Sequence, residues 1–410
     1  MKKVLVVSYY FPPLNSIAAK RYGTMCKYFN EHGYEAYVLT TGISKSSYLG
    51  AKHDLEVPMA AENILRINQN PLHAGIKLKS IFWLDALLKK CKIESRAILA
   101  GDFLWYENVR KKIKLEGLKD IDIIIGTYGP IGNIYVAKYL SEKLGCPYII
   151  DIRDLISEWR EATKGYKRCF RIDNMVEKIL LSSASGITVV TSGFKKIFEK
   201  KYPQIKIATI FNGWDNMAFE KTGDTQEKYL YYAGSLYEHR LESFFLLLRA
   251  LKKVNEKEEI KFIVRSIGPG ELDSKAKKMV AEMRMKERVE IRSSATEDII
   301  REEQGRAYIN VILSSTHEKN FEQMITVPGK TFELMNEEAP ILGVSSKHSE
   351  VAALISYTNK GIVTMSENEI VDFVLNNSRK YTGNDNVAKF SRAYQAKRLC
   401  KFMDDILREK

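Results

Sequence analysis

The feature that most constrains the fold of this chain is the regular alternation of short apolar segments with longer amphipathic ones. Residues 4–8 and 121–126 are apolar at nearly every position, whereas residues 18–32 carry apolar side chains at helical spacing and end at Gly33. Strands that are apolar on both faces and separated by helices indicate a parallel sheet covered by helices on both sides. Further strands are predicted in this half at residues 36–40, 148–151 and 186–190.

The same pattern starts again after residue 228. Residues 229–233 predict a strand and residues 241–254 a helix, and the polar residues 213–228 separate this half from the first. A chain of 410 residues also exceeds what one ordinary domain holds. The sequence therefore predicts two doubly wound α/β domains. Later strands are predicted at residues 260–265, 289–291, 307–313, 340–344 and 361–363.

Composition narrows the possible environments and partners. The five cysteines are scattered and form no paired motif, which fits a reducing cytosol rather than a disulfide framework or a zinc site. No apolar run reaches the roughly 18–20 residues that span a bilayer. The net charge of +13 favours an anionic partner, although excess lysine on a solvated surface explains part of it. Nucleic acid is not expected, because no helix-turn-helix, zinc finger or aromatic RNA-binding motif is present.

Residues 326–343 carry the clearest binding signal. Pro328, Gly329, Lys330 and Glu333 stand at a predicted helix start, before a short apolar strand. Helix starts offer unpaired amide groups and a positive dipole end to anions, Lys330 adds a full charge, and Glu333 could accept hydrogen bonds from a ribose. The residues alone fit a phosphate-and-ribose site and a plain surface helix about equally well.

Residues 76–114 interrupt the alternation of strands and helices. Basic side chains are interleaved there with tryptophan, phenylalanine and leucine. Such a segment suits the interface of an anionic membrane. The alternative is a pair of solvated helices whose apolar face belongs to the core.

Six motifs follow one another along nearly the whole chain: SYYFPPLNSIAAKR at 8–21, DIRD at 151–154, VVTS at 189–192, FNGWD at 211–215, YAGS at 232–235 and PGKTFE at 328–333. Taken together, they resemble the motifs of the family 4 glycosyltransferases. The resemblance implies the GT-B fold, in which two Rossmann-like domains face each other across a cleft. It implies an acceptor domain at residues 1–215, a donor domain at residues 228–386, and a final helix, residues 387–410, that packs back on the first domain.

The resemblance also implies an activity. The expected reaction is the transfer of a sugar, of hexosyltransferase type, from a nucleotide diphosphate sugar to a glycan or lipid-linked acceptor in bacterial surface polysaccharide synthesis. Retention of configuration is expected, with no metal and no cofactor, and the choice between a UDP and a GDP donor stays open. The expected location is the cytoplasm, at the inner face of the plasma membrane if residues 76–114 bind it.

The donor site implied by the resemblance departs from the family pattern at three places. Ile325 stands where the first of two paired glutamates is expected, Ser235 stands where an arginine is common, and Ser16 opens a turn that is usually glycine-rich. Glu318, His317 and Glu322 are weak substitutes for the missing glutamate. The donor-binding residues expected from the matched motifs are Ser16, Gly234, Ser235, Arg240, Gly268, Pro328, Gly329, Lys330, Thr331 and Glu333.

The expected catalytic residues lie in the first domain. Asp151, Arg153 and Asp154 follow a strand, and Asn133 falls where related sequences often carry a histidine. Asp154 is the first choice for a base acting on the acceptor hydroxyl. A buried structural ion pair is the alternative interpretation of this cluster.

Two other functions stay open at this stage. A nucleotide-sugar epimerase could use the same scaffold, although the six histidines fall in no convincing acid–base motif. A non-catalytic nucleotide-binding partner subunit would explain the missing glutamate and the glycine-poor turn.

Overall fold

The computed structural model describes residues 1–42, 55–68, 103–157, 167–215, 228–265, 270–319 and 321–409. The chain divides into two compact units. Unit 1 comprises Met1–Asn212 and Arg392–Lys410, and unit 2 comprises Gly213–Ser391. Each unit contains a parallel sheet with its own hydrophobic core, so the predicted α/β class with two doubly wound domains is correct.

Unit 1 is built on a seven-stranded sheet in the order β3-β2-β1-β4-β5-β6-β7. Its strands are β1 (Lys2–Val7), β2 (Tyr34–Thr40), β3 (Ile64–Arg66), β4 (Ile123–Thr127), β5 (Tyr148–Ile152), β6 (Gly186–Val189) and β7 (Lys206–Thr209). The helices described in its first segment are α1 (Ile17–Met25), α2 (Phe103–Lys112), α3 (Gly132–Leu144), α4 (Lys167–Leu181) and α5 (Ser192–Lys201).

Unit 2 is built on a six-stranded sheet in the order β10-β9-β8-β11-β12-β13. Its strands are β8 (Tyr229–Ala233), β9 (Lys261–Arg265), β10 (Val289–Arg292), β11 (Ile309–Leu313), β12 (Ile341–Val344) and β13 (Gly361–Thr364). Its helices are α6 (Glu238–Val254), α7 (Gly270–Glu282), α8 (Glu297–Arg306), α9 (Phe321–Ile325), α10 (Lys330–Asn336), α11 (Glu350–Tyr357) and α12 (Glu367–Asp372). The final helix, α13 (Arg392–Arg408), belongs to unit 1.

The strand order decides where ligands can bind. In unit 1 the chain begins in the middle of the sheet, so that β1 and β4 are neighbours and successive strands then run outward on both sides. Unit 2 repeats this arrangement with β8 and β11. Open parallel sheets bind ligands beyond the carboxyl ends of such a neighbouring pair, where the connections diverge. The segments after β1, β4, β8 and β11 are therefore the places to look for a site.

The cores follow from the apolar strands. In unit 1, Val4 and Ile123 of the central strands pack with Tyr22 of α1 and with Leu399 and Met403 of α13. All five side chains are fully buried. The C-terminal helix thus completes the core of the unit in which the chain begins.

Some predicted bounds differ from the structure for local reasons. The helix predicted at residues 18–32 ends as two short 3-10 turns, and Gly33 then takes a left-handed φ of 81°, as a cap glycine does. The helix predicted to begin at residue 387 begins instead at Arg392. Asn384 caps a separate 3-10 turn (Asp385–Phe390), and the carbonyl of Phe390 accepts a hydrogen bond from the amide of Trp214 at 2.9 Å.

Several predictions fall wholly or partly outside the described residues. Gly268, residues 76–102 and most of the polar stretch 213–228 lie there, whereas residues 103–112 form α2. None of the helices in the described ranges is long and apolar enough to cross a membrane.

Candidate functional site

Asn133 lies at the carboxyl ends of β1 and β4, the ligand-binding position expected in unit 1. Its side chain is fully buried. The amide nitrogen donates to the carbonyl of Thr127 at 2.7 Å, and the amide oxygen accepts from the backbone N–H of Tyr9 at 2.9 Å. Asn133 therefore holds the loop after β1 against the end of β4, and its predicted contact with a sugar would have to compete with these bonds.

Asp151 is the buried centre of a hydrogen-bond network. Nε and Nη2 of Arg21 donate to its two carboxylate oxygens at 2.9 and 2.8 Å, and the hydroxyl of Thr188 donates at 2.8 Å. Burial would raise the pKa of Asp151, but the charge and hydrogen bonds of Arg21 outweigh burial and lower it. This geometry matches the buried structural ion pair that the sequence left open.

The remaining donors of Arg21 extend the network along the chain. The guanidinium also donates to the carbonyls of Ile210 and Phe211 at 3.0 and 3.2 Å and to the side-chain oxygen of Asn212 at 3.1 Å. One buried ion pair therefore joins α1, β5 and residues 210–212, where the first segment of unit 1 ends.

Arg153 and Asp154 differ from Asp151 in their environment. The guanidinium of Arg153 donates to the carbonyls of Tyr128 and Gly129 at 2.9 and 2.7 Å, and burial lowers its pKa. Gly129 has a left-handed φ of 92°, and a Cβ there would lie 2.9 Å from this guanidinium. Asp154 is exposed beside them. Of the two carboxylates among the predicted catalytic residues, that of Asp151 is buried and that of Asp154 is exposed.

Ser16 lies at the start of α1. Its hydroxyl accepts a hydrogen bond from the amide of Ala19 at 3.1 Å and so caps the helix. Ser16 therefore shapes the turn after β1 through its side chain, where a glycine would act through its backbone.

In unit 2, Lys330 extends from the start of α10 to the carboxyl end of β8. Its ammonium group donates to the carbonyl of Ala233 at 3.0 Å and lies 3.6 Å from the centre of the Tyr232 ring. Gly234 has a φ of 148°, and a Cβ at this position would lie 3.0 Å from the Lys330 nitrogen. The glycine is thus required both for the backbone conformation and for the approach of the lysine.

Arg240 reaches the same place from the first turn of α6. Its Nη1 donates to the carbonyl of Ser235 at 2.8 Å and to the hydroxyl of Tyr232 at 3.3 Å. The guanidinium also lies 5.0 Å from the centre of the Tyr237 ring. Tyr232 therefore contacts both cations, Lys330 with its ring and Arg240 with its hydroxyl.

The electrostatics of this place are those of an anion site. Burial, and then the charge of Arg240, hold the pKa of Lys330 well below its usual range, and Glu333 opposes them. Burial and Arg240 also lower the pKa of His239. Three buried side-chain atoms here have no hydrogen-bond partner among the residues that the structure describes: Arg240 Nε, His239 Nε2 and Thr331 Oγ1. Unused donors beside two crowded cations fit a multiply charged anion.

The start of α10 differs from the expectation that its backbone amides would hold a phosphate. The helix has only seven residues. Its first amides are used locally, because the amide of Thr331 donates to the carbonyl of Pro328 at 2.9 Å and that of Phe332 to the carbonyl of Gly329 at 3.2 Å. The partly exposed side chains of Lys330 and Glu333 are therefore the groups that this helix offers a ligand, and the hydroxyl of Thr331 is buried beside them.

The loop after β11 completes this edge of the sheet. The carboxylate of Glu318 accepts a hydrogen bond from the hydroxyl of Ser346, after β12, at 2.7 Å. The ring of His317 lies 3.2 Å from the carboxylate of Glu242 on α6, and both side chains are largely exposed. Among the three weak substitutes for the missing glutamate, Glu318 is thus an exposed carboxylate held in place by a buried serine.

Sequence reasoning missed the parts of Arg21 and Tyr232 in these sites. Arg21 left a signal, since it is a charged residue within a helix that otherwise buries Ala19, Tyr22 and Met25. Tyr232 left little, because an aromatic residue in a strand is usually read as core packing. Tyr232 is core as well, but the face of its ring contacts Lys330 and its hydroxyl contacts Arg240.

Known structures of low sequence similarity share this fold. A sucrose-phosphate synthase from Thermosynechococcus elongatus superimposes with a TM-score of 0.68 at 11% identity, over 100% of both chains. A glycosyltransferase from Rickettsia africae has a TM-score of 0.60 at 13% identity, over 100% of this chain and 99% of that one. HepE from Anabaena, in complex with UDP and glucose, has a TM-score of 0.57 at 12% identity, over 100% of this chain and 98% of that one.

Epimerases have the same architecture. A UDP-GlcNAc 2-epimerase from Methanocaldococcus jannaschii has a TM-score of 0.52 at 10% identity, over 99% of this chain and 100% of that one. No protein-family model and no curated protein matches the sequence. Similarities at these identities establish the GT-B fold, which glycosyltransferases and epimerases share.

Asp151→Asn should destabilise unit 1 at neutral pH by about 3–5 kcal/mol, because it leaves the buried Arg21 charge without its partner. A carboxylate whose pKa is lowered by folding stabilises the fold above its unfolded pKa of about 3.9, and this contribution is lost as the pH falls. The difference in unfolding free energy between the wild type and the Asp151→Asn variant should therefore narrow in acid. Urea unfolding at several pH values measures both effects.

The matched control for this experiment is Asp120→Asn. Asp120 is 83% exposed and lies 3.5 Å from the Lys3 ammonium, so its loss should change the unfolding free energy by less than about 1 kcal/mol. Equal stability of the Asp151 variant and the wild type at pH 7 would contradict the structural role of the ion pair.

Proposed function

We propose that this protein is a glycosyltransferase that takes its sugar from a nucleoside diphosphate sugar bound to unit 2. The observation that carries the proposal is the pair of cations around Tyr232. Lys330 and Arg240 converge there at the end of β8 with unused hydrogen-bond donors around them. A diphosphate would bring the negative charge that these groups lack.

The same groups suit the chemistry. When the bond between sugar and diphosphate breaks, negative charge builds up on the leaving diphosphate, and fixed positive groups stabilise that charge. Lys330 and Arg240 supply the positive charge, while Thr331 and His239 supply hydrogen bonds. Glu333, one turn along α10 and coupled electrostatically to Lys330, accepts hydrogen bonds from the ribose hydroxyls. HepE, which shares the fold, was solved with UDP and glucose, and this supports a nucleotide sugar as ligand.

The donor sugar requires a further group, since Ile325 cannot bind hydroxyls. Glu318 has the right chemistry, because an exposed carboxylate accepts hydrogen bonds from sugar hydroxyls and Ser346 fixes its position. We assign Glu318 to the sugar, in place of the glutamate that the family motif would put at position 325.

The acceptor belongs to unit 1 in this proposal. Asp154 is the carboxylate available to an acceptor hydroxyl, with Arg153 held beside it by two backbone carbonyls. Asp151 and Asn133 act as supports behind them. A hexose as the transferred sugar and retention of its configuration complete the proposal, with the departing phosphate oxygen as the proton acceptor in place of a strong base.

The biological setting proposed is the synthesis of a surface glycan in the cytoplasm. The acceptor would be a glycan or a lipid-linked glycan, and the net charge of +13 suits an anionic membrane surface. TarM of S. aureus, which shares the fold with a TM-score of 0.58 at 13% identity, was solved with UDP and glycan ligands.

An epimerase is the second candidate, because several epimerases share the fold. An epimerase acts on the free nucleotide sugar, whereas a transferase releases nucleotide in proportion to acceptor. Mass spectrometry and NMR of nucleotide sugars incubated with and without a panel of aryl glycosides should show release that depends on the acceptor. A new epimer formed without acceptor would favour the epimerase, and binding without any turnover would favour a non-catalytic subunit.

Arg240→Ala, Lys330→Met and Glu333→Ala should each weaken nucleotide binding, because each removes a group that contacts the diphosphate or the ribose. A thermal-shift screen of nucleotide sugars and free nucleotides measures this, since a ligand that binds only the folded protein raises its Tm. The Tm of the wild type should rise with nucleotides of one base, and the Tm of each variant should rise by less with the same nucleotides.

Lys252→Ala is the matched control for the lysine variant. Lys252 is an exposed residue near the other end of α6, so its loss should leave the shift as it is in the wild type. If all three site variants keep the full shift, the donor site lies elsewhere.

Binding should also take up a proton at Lys330. Burial and Arg240 lower the pKa of Lys330 in the free protein, and a bound diphosphate raises it again. The affinity should therefore fall as the pH rises through the range between the pKa of Lys330 in the free protein and its higher pKa in the complex. Calorimetry in two buffers of different ionisation enthalpy measures the uptake, which Lys330→Met should abolish. Equal proton uptake by the variant would contradict this assignment.

A further inference from the structure

Lys360 is a buried lysine at the other end of α10 from Lys330. It is the residue before β13 and is 2% exposed. Its ammonium group donates to the backbone carbonyl of Glu337 at 2.5 Å and lies 3.4 Å from that of Glu338. Glu337 is the cap residue that follows the last residue of α10, Asn336. The lysine thus binds the carbonyls that follow the last turn of the helix, where the negative end of the helix dipole also favours a cation.

The carbon stem of Lys360 is enclosed as tightly as its charge. Gly383 has a left-handed φ of 91°, and a Cβ there would lie 2.8 Å from Cδ of Lys360. The amide of Gly383 donates to the carbonyl of Asn359 at 3.0 Å, next to the lysine. The backbone at Gly383 therefore lies close against the carbon stem, whose nitrogen lies on the end of α10.

Burying an ammonium group without a paired anion costs free energy, because the charged form loses its hydration. Burial lowers the pKa of Lys360 to about 8, against the opposing charges of Glu337 and Glu338. An apolar side chain of similar length avoids this penalty and often leaves stability unchanged or higher. A contribution to stability alone is therefore a weak explanation for a lysine at this position.

Helix α10, whose end Lys360 contacts, also carries the groups proposed to bind the nucleotide sugar. Lys330, Thr331 and Glu333 lie in its first four residues, and the helix has seven in all. So short a helix has little stability of its own, and its position depends on what holds its ends. Lys330 bonds to the end of β8 and Phe332 packs on Phe390 with ring centres 5.9 Å apart, while Lys360 holds the far end.

We propose that Lys360 is a positioning residue for the nucleotide site, which it acts on through α10 without touching the ligand. The proposal rests on the proposed function, since it takes the groups at the start of α10 to bind a nucleoside diphosphate. Removing the ammonium releases the carbonyls of Glu337 and Glu338, lets α10 shift, and moves Lys330 and Thr331 away from the position that the diphosphate needs.

The test is the affinity of Lys360→Met and Lys360→Gln for UDP and for GDP, measured by calorimetry on the folded full-length chain. Each variant should bind the preferred nucleotide about tenfold more weakly than the wild type. Hydrogen exchange of the α10 amides should be faster in the variants, and the far-UV circular dichroism should not change. Lys360→Arg, which keeps the charge and can still donate to the carbonyls, should recover part of the affinity.

The control is a variant that weakens the same unit far from α10. Asn255 follows α6, where its side chain accepts from the amide of Ile260 at 2.9 Å and donates to the carbonyl of Leu251 at 3.0 Å. Asn255→Ala should lower the Tm and leave the nucleotide affinity unchanged, which separates lost stability from lost positioning.

The outcomes separate the two proposals. Wild-type affinity in both folded Lys360 variants, with binding still lost in Lys330→Met, would overturn the role of Lys360 and leave the proposed function standing. A similar loss of affinity in the Asn255 control would also overturn it, because general destabilisation would then explain the effect. A wild type that binds no nucleotide would overturn both.

Discussion

The candidate site depends on the crowding of two positive charges around one tyrosine. Tyr232 holds Lys330 against its ring and Arg240 against its hydroxyl, and burial already acts against the charge of the lysine. Like charges gathered in a poorly hydrated place are unfavourable until an anion joins them. The fold bears this cost at the end of β8, where the chain diverges to both sides of the sheet and where parallel sheets bind ligands.

Asp151 in unit 1 and the cations around Tyr232 in unit 2 are balanced in different ways. In unit 1 the carboxylate of Asp151 meets Arg21 with two hydrogen bonds, so that the pair is satisfied within the protein and ties the chain together. In unit 2 the cations bond mainly to backbone carbonyls, which neutralise no charge. The first arrangement suits a framework and the second suits a binding site. This contrast separates residues that the sequence grouped as site candidates because all of them follow strands.

Much of the fold could be predicted because parallel sheets impose a pattern on single segments. Residues 229–233 are apolar throughout and form β8 with those bounds. The short edge strands β3 and β7 could not be predicted, since three or four residues of mixed burial carry no period. Motif order indicated the region of Lys330 and Arg240, but their meeting at Tyr232 brings together residues about 90 positions apart. No local pattern contains that contact, and none distinguishes Asp151, which is paired, from Asp154, which is exposed.

Backbone and side-chain contacts bear on two of the positions where the sequence departs from the pattern that the resemblance implies. Ser235 lacks the cation that an arginine would bring, but its carbonyl binds Arg240 and so directs the remaining guanidinium toward the site. Ser16 replaces a flexible glycine with a helix cap, which fixes the turn by a side-chain bond. At both positions the serine makes a contact that helps to place the surrounding groups. In the proposed donor site, the positions of Lys330 and Arg240 therefore depend on the backbone carbonyls of Ala233 and Ser235 that hold them.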